Sequence, residues 1–174
     1  VYLFQIDHPS LLFFVLIGML LFGAYTAKKR TPLGDHSFKI AFFSLGASSG
    51  IVFLSMMAFG VIHMVPHEMI PIGGMIVGNA LNVYTQSTER FRGEVKNTIL
   101  TIEGMVALGA PLKEALSFAS KASVKASMIP TINMLQTVGI IHIPGITTGM
   151  LLAGADPLQA VSYQLAVMYM MVAV

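Results

Sequence analysis

Residues 10–30 read SLLFFVLIGMLLFGAYTAKKR, a long uncharged and mostly apolar run that ends on three bases. A helix needs roughly 20 predominantly apolar residues to cross the hydrocarbon core of a bilayer, so this stretch reads as a spanning helix stopped by charge. The same charge logic extends along the chain. Every lysine and arginine falls in one of two segments. The first holds Lys28, Lys29, Arg30 and Lys39; the second holds Arg90, Arg92, Lys96, Lys113, Lys121 and Lys125. Basic loops stay on the cytoplasmic side of a membrane, so residues 28–39 and 89–128 are both expected inside the cell.

Composition agrees with a membrane reading. The 174 residues are 55% hydrophobic and 10% charged, with a mean hydropathy of +0.77, whereas a soluble domain carries about 25% charged residues. The net charge of +2 reports orientation rather than an anionic partner, so no nucleic acid is expected. With no cysteine, disulfides and thiolate metal sites are excluded. The chain does not begin with Met and stops inside the apolar run 161–174, so it is expected to be a piece of a longer protein.

The pattern predicts five crossings: 10–27, 38–62, 71–88, 129–153 with an interruption near 142–145, and 157–174. The turn around Pro66 carries no lysine or arginine and is expected outside. Pro71 suits a first helical position. No proline follows it until Pro111. A continuous helix from Pro71 to Leu108 would be roughly 57 Å long and would project into the cytoplasm. Phe91, Val95, Ile99, Ile102 and Val106 recur at helical spacing on its outer part. Gly109 is placed to close that helix and Pro111 to open the next. After Pro111, Ala115, Ala119, Ala122 and Ala126 form a smooth stripe, with Lys113, Ser117, Lys121 and Lys125 roughly opposite. Asp156 is expected to cap a fifth helix that starts at Pro157. The fold class is therefore all-α: a polytopic transmembrane helix bundle, one domain over 1–174, with a long helix projecting into the cytoplasm and a second cytoplasmic helix after Pro111.

Several constellations carry possible chemistry. Asn79, Asn82 and Gln86 share one face of the third helix; Asn133, Gln136 and Thr137 share a side of the fourth. Such groups either hydrogen-bond across helices or line a polar translocation path. His63, His67 and Glu68 fall in the outside turn, a donor set that suits zinc or iron, against the plainer reading of a solvated loop. The 13 methionines read as apolar gap-fillers. The pairs Gly46/Gly50, Gly74/Gly78 and Gly145/Gly149 allow close helix packing. No G-x-x-x-x-G-K-[ST] motif and no catalytic triad occurs, and no charge interrupts the apolar spans. The chain is not expected to be an enzyme on its own, and a proton-coupled carrier is disfavoured.

Glu103-Gly104-Met105-Val106-Ala107-Leu108-Gly109-Ala110 places a glycine six residues after a glutamate. It partly resembles the EAA loop of ABC importer permeases, without the alanines after the glutamate or the following I-x-L-P. The wider pattern is Pro71 to Asn79, Ala107-Leu108-Gly109-Ala110 with Glu114-Ala115, Ile143 to Gly149, Ala153 to Leu158, and Tyr163-Gln164. In that order it resembles the FetB-type (YbbM-like) family of ABC transporter permeases, which includes plant permeases linked to aluminium tolerance. The sequence departs from that family at Ile146-Thr147, where methionines are expected.

The resemblance implies a multi-pass permease of the cell (inner) membrane, paired with a separate cytoplasmic ATPase and acting as a homodimer. ATP and Mg would be bound by that ATPase, with no cofactor on this chain. ATPase coupling would fall to Glu103, Leu108, Gly109, Ala110, Pro111 and Glu114. The implied work is ATP-driven export of a metal ion, iron in the bacterial members. Two other readings stay open: an ABC permease for an organic substrate such as a nucleotide sugar or lipid, and a non-transporting membrane scaffold that recruits a cytoplasmic partner.

Overall fold

The structure is a computed structural model that describes residues 9–32, 34–60, 62, 65–137 and 145–173. These form eight helices and no strand: α1 (Pro9–Arg30), α2 (Ser37–Ala58), α3 (Pro66–Asn97), α4 (Ile99–Ala107), α5 (Leu112–Ala115), α6 (Ser117–Thr137), α7 (Gly145–Leu152) and α8 (Pro157–Ala173). The chain is all-helical, as expected from its sequence.

The α1–α2 turn is built by local chemistry. Lys28, Lys29 and Arg30 occupy the last turn of α1, where cations complement the helix dipole. Thr31 is buried, and its hydroxyl donates to the Ala27 carbonyl at 2.9 Å. Pro32 then prevents the helix from continuing. Gly34 takes a left-handed φ of 88°, and the Ser37 hydroxyl donates back to its carbonyl at 2.6 Å as α2 begins.

By length and apolar composition, two of the described helices are able to cross a bilayer: Leu12–Arg30 and Ser37–Ala58. Both are apolar all round and expose large side chains, among them Phe14 at 76%, Phe22 at 72% and Phe43 at 72%. A helix hydrophobic on every face belongs inside a large core or in lipid, and these faces are not covered by protein. The three later crossings expected from the sequence do not reach the same measure among the described residues. The helix α7 has eight residues, α8 has 17, and residues 138–144, which include the expected interruption, lie outside the described residues.

Three boundaries differ from the expectation, each for an identifiable reason. Helix α3 begins at Pro66 rather than Pro71; Pro66 takes the favoured first position, and Pro71 lies one turn in. There its missing N–H removes a single helical bond close to the helix end. The helix does not run on to Leu108 but stops at Asn97. The Thr98 hydroxyl and N–H both bond to the Glu94 carbonyl, at 2.7 and 3.0 Å, and α4 starts anew at Ile99. The projecting rod is thus one helix of about 48 Å and a short second helix. Finally, the alanine-striped helix runs without a break into the start of the fourth apolar segment, as one helix, α6, that ends at Thr137 and carries Pro130 within it.

Helix α3 is the spine. It packs against α1, α2, α6 and α8, while α7 pairs with α8. Two buried clusters lie along it. Leu12, Met56, Met69, Ile72, Ile76 and Val167 belong to the larger. The smaller joins Ala24, Ala27, Ala41, Leu45 and Ala80, with Tyr84 against it. The basic α1–α2 turn therefore lies beside the C-terminal half of α3, and both basic segments sit at the same end of the bundle. Close approach at the other end depends on Gly73, which is buried and where a Cβ would collide with the Leu16 side chain. Gly73→Val is expected to destabilise the protein by about 1–3 kcal/mol through overpacking. Part of that loss should return in the Gly73→Val/Leu16→Ala double variant, as read by thermal unfolding in detergent.

Candidate functional site

The residues expected to couple to a partner form an elbow between α4 and α6. Its hinge is a helix stop at Gly109 (φ 93°), where the Gly109 N–H bonds to Val106 O at 2.9 Å and the Ala110 N–H to Met105 O at 3.0 Å. This paired 5→2 and 6→1 closure is the usual way a glycine ends a helix. Pro111 is extended (ψ 142°) and turns the chain into α5. The elbow leaves apolar side chains in the open: Leu108 is 91% exposed and Leu112 60%. Glu103, Pro111 and Glu114 are exposed around them, and Ala110 is half-buried.

Beneath the elbow, Ala115 and Ala119 are buried, followed by Ser123 and Ser127 at the same four-residue step. Ala122 and Ala126 of the expected stripe are only half-buried, whereas Lys113, Ser117, Lys121 and Lys125 are exposed. The buried stripe holds α6 against α3, and the Ser87 hydroxyl donates to Ser127 Oγ at 2.8 Å across that contact. Ser87, Ser127 and Thr131, with Met171 of α8, line a crevice of about 220 Å³. This serine seam is the polar contact between the two helices, and sequence reading missed it. Serine stripes among alanines were its only signal.

The amides expected to line one path are placed differently from one another. Asn79 is half-buried, and its Nδ2 donates to the Met171 carbonyl at 2.6 Å, tying α3 to α8. Asn82, Gln86, Asn133 and Gln136 are exposed, and their side-chain amides make no hydrogen bond among the described residues; the Asn133 carbonyl accepts from the Thr137 hydroxyl at 2.9 Å. Gln86 lines a groove with Glu89, Arg90, Gly93, Glu94 and Asn97, all on α3. Within one chain, the α3 amides and the α6 amides are not brought together.

His63 lies outside the described residues, as does the side chain of His67, while Glu68 is half-buried near the start of α3. Among the described residues no group of three or more His, Asp or Glu side chains could hold a metal ion. One further buried pair joins α7 to α8: Thr147 Oγ1 donates to Gln164 Oε1 at 3.4 Å, with both residues more than nine-tenths buried. Both fall in segments that the sequence singled out, without a role assigned.

The Asn79 contact is testable directly. Asn79→Ala leaves the Met171 carbonyl without its partner, and the expected cost is about 0.6–1.7 kcal/mol, the range of interhelical hydrogen bonds in membranes. Thermal unfolding in detergent should show the loss, together with faster proteolysis of α8.

The chain is 31% identical over 170 residues to the Escherichia coli protein named "Probable iron export permease protein FetB", covering 98% of this chain and 66% of that protein. It is 33% identical over 175 residues to a UPF0014 membrane protein of Synechocystis, covering 96% and 66%. It is 32% identical over 171 residues to the Arabidopsis thaliana protein ALUMINUM SENSITIVE 3, covering 98% and 63%. The chain thus spans about two thirds of the length of these relatives. No solved structure matches it significantly. The model of the uncharacterised protein family UPF0014 matches residues 1–174, from end to end, and the chain belongs to that family of membrane proteins.

Proposed function

We propose that this chain is the permease subunit of an ABC transporter in the cell membrane, exporting a metal ion with energy from a separate ATPase subunit. Iron is the substrate this reading favours, by its similarity to a protein named for iron export. The bundle would cross the bilayer with residues 28–39 and 89–128 inside, in the order the basic residues dictate. ATP and Mg would reside on the partner.

The observation that carries the reading is the elbow. Leu108 and Leu112 stand out from a helix junction whose neighbours in sequence, Glu103, Lys113 and Glu114, are also exposed. Exposed apolar side chains clustered within a polar rim mark a surface that another protein covers. The elbow lies at the same end of α3 as the basic residues, where a cytoplasmic subunit would meet it. Its position also suits force transfer. The α6 helix runs unbroken from just behind the elbow to Thr137, and its Ala/Ser stripe locks it to α3. Movement of the ATPase at Leu108 and Leu112 would shift α6 and α3 together, and with them Asn79 and Asn82. Coupling of this kind needs a rigid element with two arrangements, and the α3–α6 pair supplies the rigid element.

Leu108→Asp tests this without disturbing the fold, because the side chain is 91% exposed. Loss of an interface anchor of this type costs about 2 kcal/mol or more, so co-purification with the ATPase should fall at least roughly 30-fold. An unchanged complex would sink the coupling assignment. With the intact complex in liposomes, ferrous or ferric ions should stimulate ATP hydrolysis while nucleotide sugars and lipids do not.

A further inference from the structure

The packing of α1, α2 and α3 leaves a cavity of about 160 Å³, walled by Phe13 and Ile17 of α1, Ser49, Gly50 and Phe53 of α2 and Gly73 of α3, among others. Phe13 and Ile17 are half exposed, so the cavity opens outward, onto the surface that faces lipid in the proposed crossing. Both lie in the half of α1 remote from Lys28, Lys29 and Arg30, which puts the mouth in the outer half of the bilayer. The Gly46/Gly50 pair makes the space. A Cβ added at Gly46 would lie 3.6 Å from the Leu20 side chain, whereas one at Gly50 would meet nothing within 4 Å. The pair therefore packs at Gly46 only, and a void remains at Gly50.

Among the described residues, Ser49 is the one polar side chain in the wall. It is more than nine-tenths buried, and its hydroxyl has no hydrogen-bond partner. Other serines of α2 behave differently. The Ser48 hydroxyl donates to Leu45 O at 3.3 Å, and the Ser55 hydroxyl donates to Val52 O at 2.7 Å. Bonding back to a carbonyl three or four residues earlier is the ordinary way a helical serine is satisfied. Ser49 instead keeps a free donor beside an apolar cavity, and a buried donor without a partner is unfavourable.

We propose that this cavity is a binding site for a lipid-soluble molecule with a compact hydrocarbon body and one oxygen that accepts a hydrogen bond from Ser49. Size, wall and hydroxyl each remove a competing occupant. A helix is about 10–12 Å across, too wide for this space. A cavity of about 150 Å³ holds a six-carbon ring such as benzene, which sets the scale of the ligand body. A buried water needs about two to four polar partners, and the wall offers one side-chain hydroxyl. A lipid acyl chain matches the wall but leaves Ser49 unsatisfied. A hydrocarbon carrying a single hydroxyl, ether or carbonyl oxygen satisfies both, in the usual manner of an apolar pocket whose few polar groups fix orientation. Such an occupant would touch α1, α2 and α3 together, beside the place where Gly73 admits Leu16, and would stabilise the bundle by binding its folded form.

The inference needs α1 and α2 in the bilayer and nothing else of the transport reading. The full-length protein is placed in lipid nanodiscs and irradiated with one of two probes, hexan-1-ol or hexane, each carrying the same diazirine. Labelled residues are read by mass spectrometry. The alcohol is expected to label Phe13, Ile17 and Phe53 saturably and to be displaced by plain hexan-1-ol. The exposed Phe22 and Phe43, away from the cavity, should show only unsaturable labelling from bulk lipid. Ser49→Ala is expected to weaken binding of the alcohol about two- to tenfold, the strength of one hydrogen bond, and to leave the hexane probe unchanged. Gly50→Leu, which puts a side chain into the open space, should abolish saturable labelling by both probes.

Thermal unfolding shows whether each variant folds, and the comparison of the two probes on the natural sequence depends on neither variant. Equal saturable labelling by alcohol and hexane, indifferent to Ser49→Ala, would mark a groove for acyl chains only and overturn the proposal. Labelling of Phe13 no more saturable than that of Phe22 would overturn it as well. Co-purification with the ATPase is read on the same preparations. Its loss with the cavity labelling intact sinks the transport reading alone, and the reverse result sinks the cavity site alone.

Discussion

Helix α3 can be shared by four neighbours only because several of its contacts are made where side chains are nearly absent. At one end Gly73 lets α1 approach so closely that Leu16 fills the place of its side chain. At the other, Ala24, Ala27, Ala41 and Ala80 bring α1, α2 and α3 together around the single buried Leu45, with Phe42 and Tyr84 packed against the cluster. In lipid, helices gain little from removing apolar surface from their surroundings, because the surroundings are apolar already. What holds them is contact at short range, and short range requires small residues. The large side chains are displaced outward as a consequence. Phe14, Phe22 and Phe43 point away from α3, which makes the outer surface of α1 and α2 fit for lipid.

The same constraint continues at the basic end with a change of chemistry. There the small residues on α6 alternate between alanine and serine, and Ser87 meets Ser127 in a hydrogen bond. A serine takes hardly more room than an alanine, so the seam keeps its close approach while gaining a directional contact. Ser123 and Ser127 also bond back to carbonyls on their own helix, at 2.8 and 2.9 Å. Each hydroxyl is satisfied locally, so burying the stripe leaves no polar atom unpaired there. An amide in place of serine would have held the helices further apart.

This distinction decides what was legible in the sequence. Helices α1 and α2 were readable because apolar runs, a triple base and the Pro32–Gly34 turn all point to the same boundaries. The stops at Gly109 and before Pro157 were readable because glycine and proline act through the backbone, whatever surrounds them. The break at Thr98 was not, since threonine is an ordinary helix residue until its hydroxyl bonds back four residues. Pro130 was passed over in the opposite sense: a helix anchored by the buried Ala119, Ser123 and Ser127 can continue through a proline that its local propensity would reject. Among the candidate site residues, polarity was visible and partnership was not. Asn79 and Asn82 look equivalent three residues apart, yet one bonds to the α8 backbone and the other's side chain has no partner among the described residues.

The unbroken α6 helix bears on how the two ends of the molecule could communicate. Had the alanine-striped helix ended before the apolar segment, as the composition change near Ile129 suggested, a push at the elbow would have been absorbed by the joint between them. In the folded chain the helix is continuous from Ser117 to Thr137, and Pro130 within it removes one backbone hydrogen bond without ending it. The helix breaks lie elsewhere: at Thr98, between α3 and α4, and at Gly109 to Pro111, between α4 and α5. Those points bracket α4. In the proposed coupling, a force applied at the elbow would reach the membrane segment chiefly through α6, since α4 is bracketed by these breaks and held only by the buried Ile102. The Ala/Ser stripe would carry α3 with it, because packed interfaces of small residues shift as units rather than stretch.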